Sequence, residues 1–307
     1  MSKSKICVVG AANIDLVSYV PRLPTLGETL HGNRFQIGYG GKGANQAVMA
    51  AKLGADVAMV TKLGRDVFGD DTLENFKRWG VDTEHVLFTD QAFSGVAPIA
   101  VDSDGNNSII IVTGANDLIT EAEIEAARPT IAASQLMVCQ LEIPLNINLA
   151  ALRVAREENV TTIFNPAPAQ PDLPEELYRL SDIFCPNESE TEMLTGQSVN
   201  TIEEAESAAR ILLDRGAGQV ILTLGERGSL LVTPDEVTHV PAEPVKATDT
   251  TGAGDSFVGS LAYFLAAGKP MTDAMQRANR IAAISVQASG TQTSFPTAAE
   301  LPAELLA

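Results

Sequence analysis

The chain has 307 residues, 45% of them hydrophobic and 20% charged, and its 39 Asp and Glu against 21 Lys and Arg leave a formal net charge of -18. That balance excludes a polybasic nucleic-acid binder, whose affinity rests on Lys and Arg neutralising phosphates. The longest apolar runs, such as 109–112 and 136–141, fall far short of the roughly 20 residues that span a bilayer, so no membrane partner is expected.

Residues 1–5 carry no apolar stretch with a small-residue cleavage site, and no export leader is expected. A strand is predicted at 6–10. Residues 13–37 then lack helical periodicity, carry Pro21 and Pro24, and alternate in the manner of strands. A glycine-rich run leads into a helix over 44–53, followed by a strand at 57–63 and a helix at 71–79. Residues 93–111 read as strand, turn, strand, with Asp104 and Gly105 as the turn, although 109–112 also fits the series of core strands. Next come a helix at 121–133, a strand at 136–141, a helix at 146–158, strands at 162–165 and 182–185, and a helix at 202–215. Strands at 220–224 and 230–232 and helices at 255–266 and 273–288 complete the series. Continuous Val, Ile and Leu runs between helices predict an α/β fold with a mostly parallel sheet covered on both faces. The two stretches that break the rhythm predict a small accessory sheet. Cys7, Cys139 and Cys185 sit singly in apolar runs, as buried thiols of a reducing compartment do, and a cytoplasmic protein is expected.

Charge is uneven along the chain. Residues 1–80 hold 10 basic and 7 acidic side chains and the remainder 11 and 32, so a basic nook facing an anion would belong to the first part. Acidic helix faces such as Glu121, Glu123 and Glu125 are more simply solvated surface.

Two motifs carry chemistry. Gly38, Gly40 and Gly43 satisfy the spacing of a dinucleotide fingerprint, but they follow the accessory segment and not the first core strand, and no P-loop occurs anywhere. The run Asp249-Thr250-Thr251-Gly252-Ala253-Gly254-Asp255 precedes an apolar helix. Gly252, Ala253 and Gly254 would aim backbone N–H groups and the helix dipole at an anion, and Asp255 would accept the proton of an attacking hydroxyl. Taken alone, Asp255 is also a favourable first-turn acid and the glycines a tight turn; the seven-residue run is more specific. His31, His85 and His239 are scattered, which leaves no zinc motif.

Together, Gly40-Gly41-Lys42-Gly43-Ala44-Asn45 and the 249–255 run resemble, in order, separation and total length, the signatures of the ribokinase-like (PfkB) carbohydrate kinases. The resemblance runs essentially from Cys7 to Pro296, and the segments at 10–15, 139–142, 164–168 and 186–190 fall where members carry similar ones. It implies a three-layer α/β/α sandwich forming a single domain over 1–307, with a β-lid from about 14–38 and 93–112. The implied reaction is ATP-dependent phosphorylation of D-ribose at the 5-hydroxyl, with Asp255 as base and the 252–254 amides as anion hole. Asn13, Asp15, Gly41, Lys42, Gly43, Asn45, Glu142 and Asp255 would hold the sugar. Asn187, Thr223, Gly225, Glu226, Gly228, Gly254 and Asn279 would hold ATP. Glu190 would organise Mg2+ through water, and Asp249, Thr251, Ser285, Ala288, Gly290 and Ser294 would hold K+. Members pair through their lids, which implies a homodimer with Tyr19, Phe35 and Phe93 in the contact. Alternatives are a deoxyribokinase, fructokinase or nucleoside kinase of the same family, or a non-catalytic sensor. Asn13 favours ribose, since a polar group left unpaired by a deoxy sugar typically costs about 1 to 3 kcal/mol.

Overall fold

The computed structural model describes residues 4–306; the first three residues of the predicted leader-free segment, and Ala307, lie outside the described residues. The strands are β1 (Lys5–Val9), β2 (Asn13–Tyr19), β3 (Arg34–Gly40), β4 (Asp56–Gly64), β5 (Val86–Thr89), β6 (Gly95–Val101), β7 (Asn107–Ile109), β8 (Leu136–Gln140), β9 (Thr161–Asn165), β10 (Ile183–Phe184), β11 (Gln219–Thr223), β12 (Ser229–Val232) and β13 (Val237–Val240). The α-helices are α1 (Lys42–Lys52), α2 (Val67–Arg78), α3 (Glu121–Ala126), α4 (Arg128–Ala132), α5 (Leu145–Glu157), α6 (Glu175–Arg179), α7 (Glu188–Thr195), α8 (Ile202–Asp214), α9 (Ala253–Ala266), α10 (Met271–Ser285) and α11 (Ala303–Leu306).

Nine strands form one sheet in the order β13-β12-β11-β10-β9-β8-β1-β4-β5, parallel except at β12 and β13. Alternation along β1 divides its side chains between two cores. Ile6 and Val8 pack with α1, α9 and α10 on one face, and Cys7 and Val9 pack with α3, α5 and α8 on the other. This is the three-layer α/β/α sandwich. None of the described helices is long and apolar enough to cross a membrane.

Four strands form a second sheet, β3-β2-β6-β7, outside the first. Its hairpin turn is made by Asp102, whose Oδ1 accepts from the N–H groups of Asp104 and Asn106, with Gly105 at φ 86°. Residues 109–112 do not join the core sheet: β7 ends at Ile109, Val112 only bridges Val96, and all four side chains are about half exposed. The helix predicted over 121–133 is broken into α3 and α4, because Pro129 lacks an N–H and crowds the preceding turn. α2 starts earlier than predicted, at Val67, because Asp66 caps it by accepting from Gly69 N–H at 2.8 Å. α10 stops at Ser285, short of 288, and the Val286 carbonyl instead accepts from the N–H groups of Thr248 and Asp249.

The parallel strands β1, β8, β9 and β11 all end on one edge, at Val9, Gln140, Asn165 and Thr223 respectively. Ligands of open α/β sheets bind in the crevice beyond such carboxyl ends.

Candidate active site

At the start of α9 the Ala253 N–H donates to the Thr250 carbonyl at 3.2 Å, whereas among the described residues no such bond is made by the Gly252 or Gly254 N–H. Gly252, the N-cap of α9, takes a left-handed φ of 80° and supplies no capping side chain. A Cβ placed at Gly254 would meet no atom within 4 Å, so the turn faces open space. First-turn N–H groups have no partner within their own helix and lie at the positive end of its dipole. Asp255 follows in the same turn, 6% exposed.

Two consecutive residues of α1 hold the Asp255 carboxylate. Asn45 Nδ2 donates to Oδ2 and Gln46 Nε2 to Oδ1, both at 2.9 Å. Behind them stands a second rank of amides. Gln46 Nε2 also donates to Asn165 Oδ1 at 3.0 Å, and its Oε1 accepts from Gln140 Nε2 at 2.7 Å. Gln292 Nε2 donates to Asn45 Oδ1 at 3.0 Å, and Gln292 Oε1 accepts from Asn75 Nδ2 at 2.8 Å. The motifs assign no role to Gln46, Gln140, Asn165 or Gln292. Their signal was present: Gln140 and Asn165 end the buried strands LMVCQ and TTIFN, where a polar side chain must find a partner.

Of the residues matched to a sugar site, Asn13 and Asp15 lie on β2 and Glu142 just beyond β8. Asn13 is buried, and its Oδ1 accepts from Asn116 Nδ2 at 2.9 Å, which leaves the Asn13 amide nitrogen for a ligand. Asn116, which no motif singled out, is itself fixed by Ala12 N–H and by the carbonyls of Ala12 and Thr113. Burial, reinforced by the Glu142 and Asp255 carboxylates, pushes the Asp15 carboxyl up to about 7. A Cβ on Gly40 would come within 2.3 Å of that carboxylate, so any larger residue there would displace the Asp15 side chain. Glu142 Oε2 accepts from Lys42 N–H at 2.6 Å, closing the start of α1, and burial raises its pKa. The Lys42 ammonium sits among Asp255, Glu142 and Glu190; burial works against its charge, but these carboxylates outweigh it and raise its pKa. Gly41 and Gly43 have a packing role as well. A Cβ on either would lie within 3 Å of the backbone at residues 10–13, and Gly41 has φ 82°.

A cavity of about 900 Å³ is lined by all seven residues matched to ATP, Asn187, Thr223, Gly225, Glu226, Gly228, Gly254 and Asn279, and also by Thr250 and Phe257. That volume suits a drug-sized or nucleotide-sized ligand. A chamber of about 140 Å³ adjoins it, lined by Lys42, Glu190 and Asp255 and sharing Asn187, Thr223 and Gly254 with the larger cavity. Asn187 and Glu190 form a capping box on α7: Asn187 Oδ1 accepts from Glu190 N–H, and Glu190 Oε2 from Asn187 N–H, both at 2.8 Å. Glu190 is buried. Burial raises it to about 7, against the Asn187 N–H and the Lys42 ammonium.

The loop after α10 meets the run before α9. Asp249 Oδ1 accepts from Thr251 N–H and Oδ2 from Gly290 N–H, both at 2.9 Å. Ser285 and Ser294 hydroxyls donate to the carbonyls of Ala282 and Thr291, which leaves both hydroxyl oxygens able to accept a cation. Ala288 lies in the same loop, with its N–H on Ser285 O at 3.3 Å. All of these donors are oxygen, with one carboxylate. Among the described residues no three or more His, Cys, Asp or Glu side chains cluster as a metal cage.

A three-layer α/β enzyme in which a small acid-lined chamber opens into a nucleotide-sized cavity at the sheet's carboxyl edge is of the kind that transfers a phosphoryl group to an alcohol. Residues 3–298 match the description "pfkB family carbohydrate kinase", and the chain belongs to that family. It is 49% identical to a ribokinase of Mus musculus over 304 residues, covering 98% of this chain and 94% of that protein. It is 42% identical to a deoxyribokinase of Salmonella typhi over 292 residues, covering 95% of each. Among solved structures, an Arabidopsis thaliana ribokinase complexed with ribose and ATP superposes with a TM-score of 0.91 at 32% identity, covering 99% of each chain.

Proposed function

We propose that the protein phosphorylates D-ribose at its 5-hydroxyl with ATP, giving D-ribose 5-phosphate and ADP. One observation carries this reading: the oriented Asp255 carboxylate lines the small chamber beside Gly254, a residue that chamber shares with the nucleotide-sized cavity, in the first turn of a helix whose Gly254 amide is free to meet an anion. In the proposed reaction the sugar O5 attacks the γ-phosphorus in line, its proton passes to Asp255, and the bond from phosphorus to the bridging oxygen breaks to release ADP. Charge on the transferred group lies against the amides of 252–254, aided by the Lys42 ammonium. Asn13, Asp15 and Glu142, with the 41–45 segment, present both donors and acceptors to the sugar hydroxyls.

Mg2+ carried by ATP would neutralise phosphate charge. A single buried carboxylate such as Glu190, with one oxygen already engaged by Asn187 N–H, suits a hydrated ion held through water better than direct ligation. The all-oxygen set around Asp249 suits a monovalent cation, K+, which would order the loop flanking the 252–254 amides. Replacing K+ by Li+ is expected to collapse activity, and equal turnover in both salts would remove the K+ assignment.

The same reading implies a cytoplasmic homodimer. Phe35 and Ile37 alternate on one face of β3 and are 59% and 54% exposed, and Phe93 is 80% exposed, an apolar surface that a second copy would cover. Tyr19 differs: the Arg34 guanidinium covers its ring at 3.8 Å.

The acceptor is tested by ADP release with D-ribose, 2-deoxy-D-ribose, D-fructose and nucleosides. D-ribose is expected to give the highest kcat/KM. A higher value for 2-deoxy-D-ribose would instead assign the deoxyribokinase activity, in line with the Salmonella typhi relative.

A further inference from the structure

Gln46 is fully buried, so it cannot reach a substrate, yet each hydrogen-bonding group of its amide is committed. Its two N–H groups point to Asp255 Oδ1 and Asn165 Oδ1, and its carbonyl accepts from Gln140. These partners fix the sense of the amide. Turning it over would set oxygen against two oxygens and nitrogen against the Gln140 amide nitrogen. Asn165 is in turn anchored by donating to Cys185 O at 2.8 Å, at the end of the sheet's central strands. The helix pair is also close enough for a short reach. A Cβ on Gly259, one turn beyond Asp255 in α9, would stand 2.6 Å from Gln46 O.

We propose that Gln46 is a positioning residue for phosphoryl transfer: held by Gln140 and Asn165, it locks the plane of the Asp255 carboxylate and directs the remaining lone pairs toward the chamber. The inference rests on the reading of Asp255 as the base. Asn45 shares the carboxylate but borders the proposed sugar site; Gln46 acts only through Asp255. Misplacing a reacting group by about 1 Å can cost on the order of a hundredfold in rate.

The test compares Gln46→Met and Gln140→Met with Asp255→Asn in the full-length enzyme, by steady-state kinetics on D-ribose and ATP and by thermal melting. Gln46→Met is expected to lower kcat by about ten- to a hundredfold, with KM for ATP and sugar changed less than about threefold. Gln140→Met, which removes only the outer anchor and leaves the contact with Asp255, is expected to lower kcat by a smaller factor in the same pattern. It keeps the proposal testable if Gln46→Met does not fold. In the Asp255→Asn background, Gln46→Met is expected to cost nothing further, because both changes act on one group. If Asp255→Asn abolishes turnover while folded Gln46→Met and Gln140→Met variants keep wild-type kcat, the positioning role is overturned and the base survives. If Asp255→Asn itself turns over normally, the base is wrong and the inference falls with it. A loss that appears in KM alone, or that adds fully to Asp255→Asn, also overturns it.

Discussion

Asn13 and Asp15 acquire their chemistry from neighbours. Asn116 Nδ2 occupies the Asn13 oxygen, so what Asn13 offers a ligand is a donor. Asn116→Asp would replace that donor with an acceptor, and Asn13 would turn its nitrogen inward to meet it. We expect KM for the sugar to rise roughly tenfold, the worth of one or two hydrogen bonds, with kcat nearly unchanged; steady-state kinetics with an unaltered KM would contradict this. Asp15 makes a prediction about pH. Its carboxyl lies at about 7 in the folded protein against an ordinary 3.8, so the native state retains a proton that the unfolded chain releases. Stability from this group is therefore fully present below about pH 4 and is lost as pH rises to about 7, the reverse of a salt-bridged acid. The stability of Asp15→Asn relative to wild type should increase across that interval in chemical melts. A difference that stays flat would show that Asp15 ionises normally. Asp15 was legible through the family resemblance, whereas Asn116 was not, because its partners Ala12 and Asn13 lie more than 100 positions away along the chain.

Among the elements, the pairing of α1 with α9 matters most. Gly259 allows the two helices to approach until Gln46 O would touch a Cβ there, and Asn45 and Gln46 reach Asp255 only at that distance. Gly259→Ala should destabilise the fold by about 1 to 3 kcal/mol through overpacking, and lower kcat as the carboxylate moves from its donors. Denaturant melts and kinetics that match wild type would show that α9 yields without consequence. Both helices were readable from their periodicity, and so was the anion-facing turn at 252–254. What could not be read was the register of one helix against the other, which depends on a small residue facing a backbone carbonyl across the interface. α7 was missed for a different reason. Its eight residues carry little apolar periodicity, and its start depends on the reciprocal bonds of Asn187 and Glu190, a pair whose spacing alone also suits a loop. The helix predicted across 121–133 failed at Pro129, where the chain chemistry gave a visible stop signal that apolar spacing overrode.

For the whole molecule, the charge of -18 is carried largely by solvated helix faces, while the site carries its own balance: Lys42 among Asp255, Glu142 and Glu190, and the unpaired amides of Gly252 and Gly254. A negative protein can therefore accept a polyphosphate without a basic surface. Register in the small sheet pairs Asp15 with Gly38 and Leu16 with Ile37, so Asp15 and the exposed Ile37 lie on opposite faces. One face thus bears site residues and the other bears the exposed apolar surface. A Phe35→Asp, Ile37→Asp double variant should run as a monomer in light scattering where the wild type runs as a dimer; a monomeric wild type would remove the dimer. In the proposed reaction Asp255 takes the proton as phosphate passes to the sugar's 5-hydroxyl. This step is tested most directly by following 31P spectra of ATP and D-ribose with wild type and Asp255→Asn. D-ribose 5-phosphate and ADP are expected from the wild type, and from the variant an intact fold with bound sugar but turnover lower by several orders of magnitude. Undiminished product from Asp255→Asn, or phosphate on another hydroxyl, would contradict it.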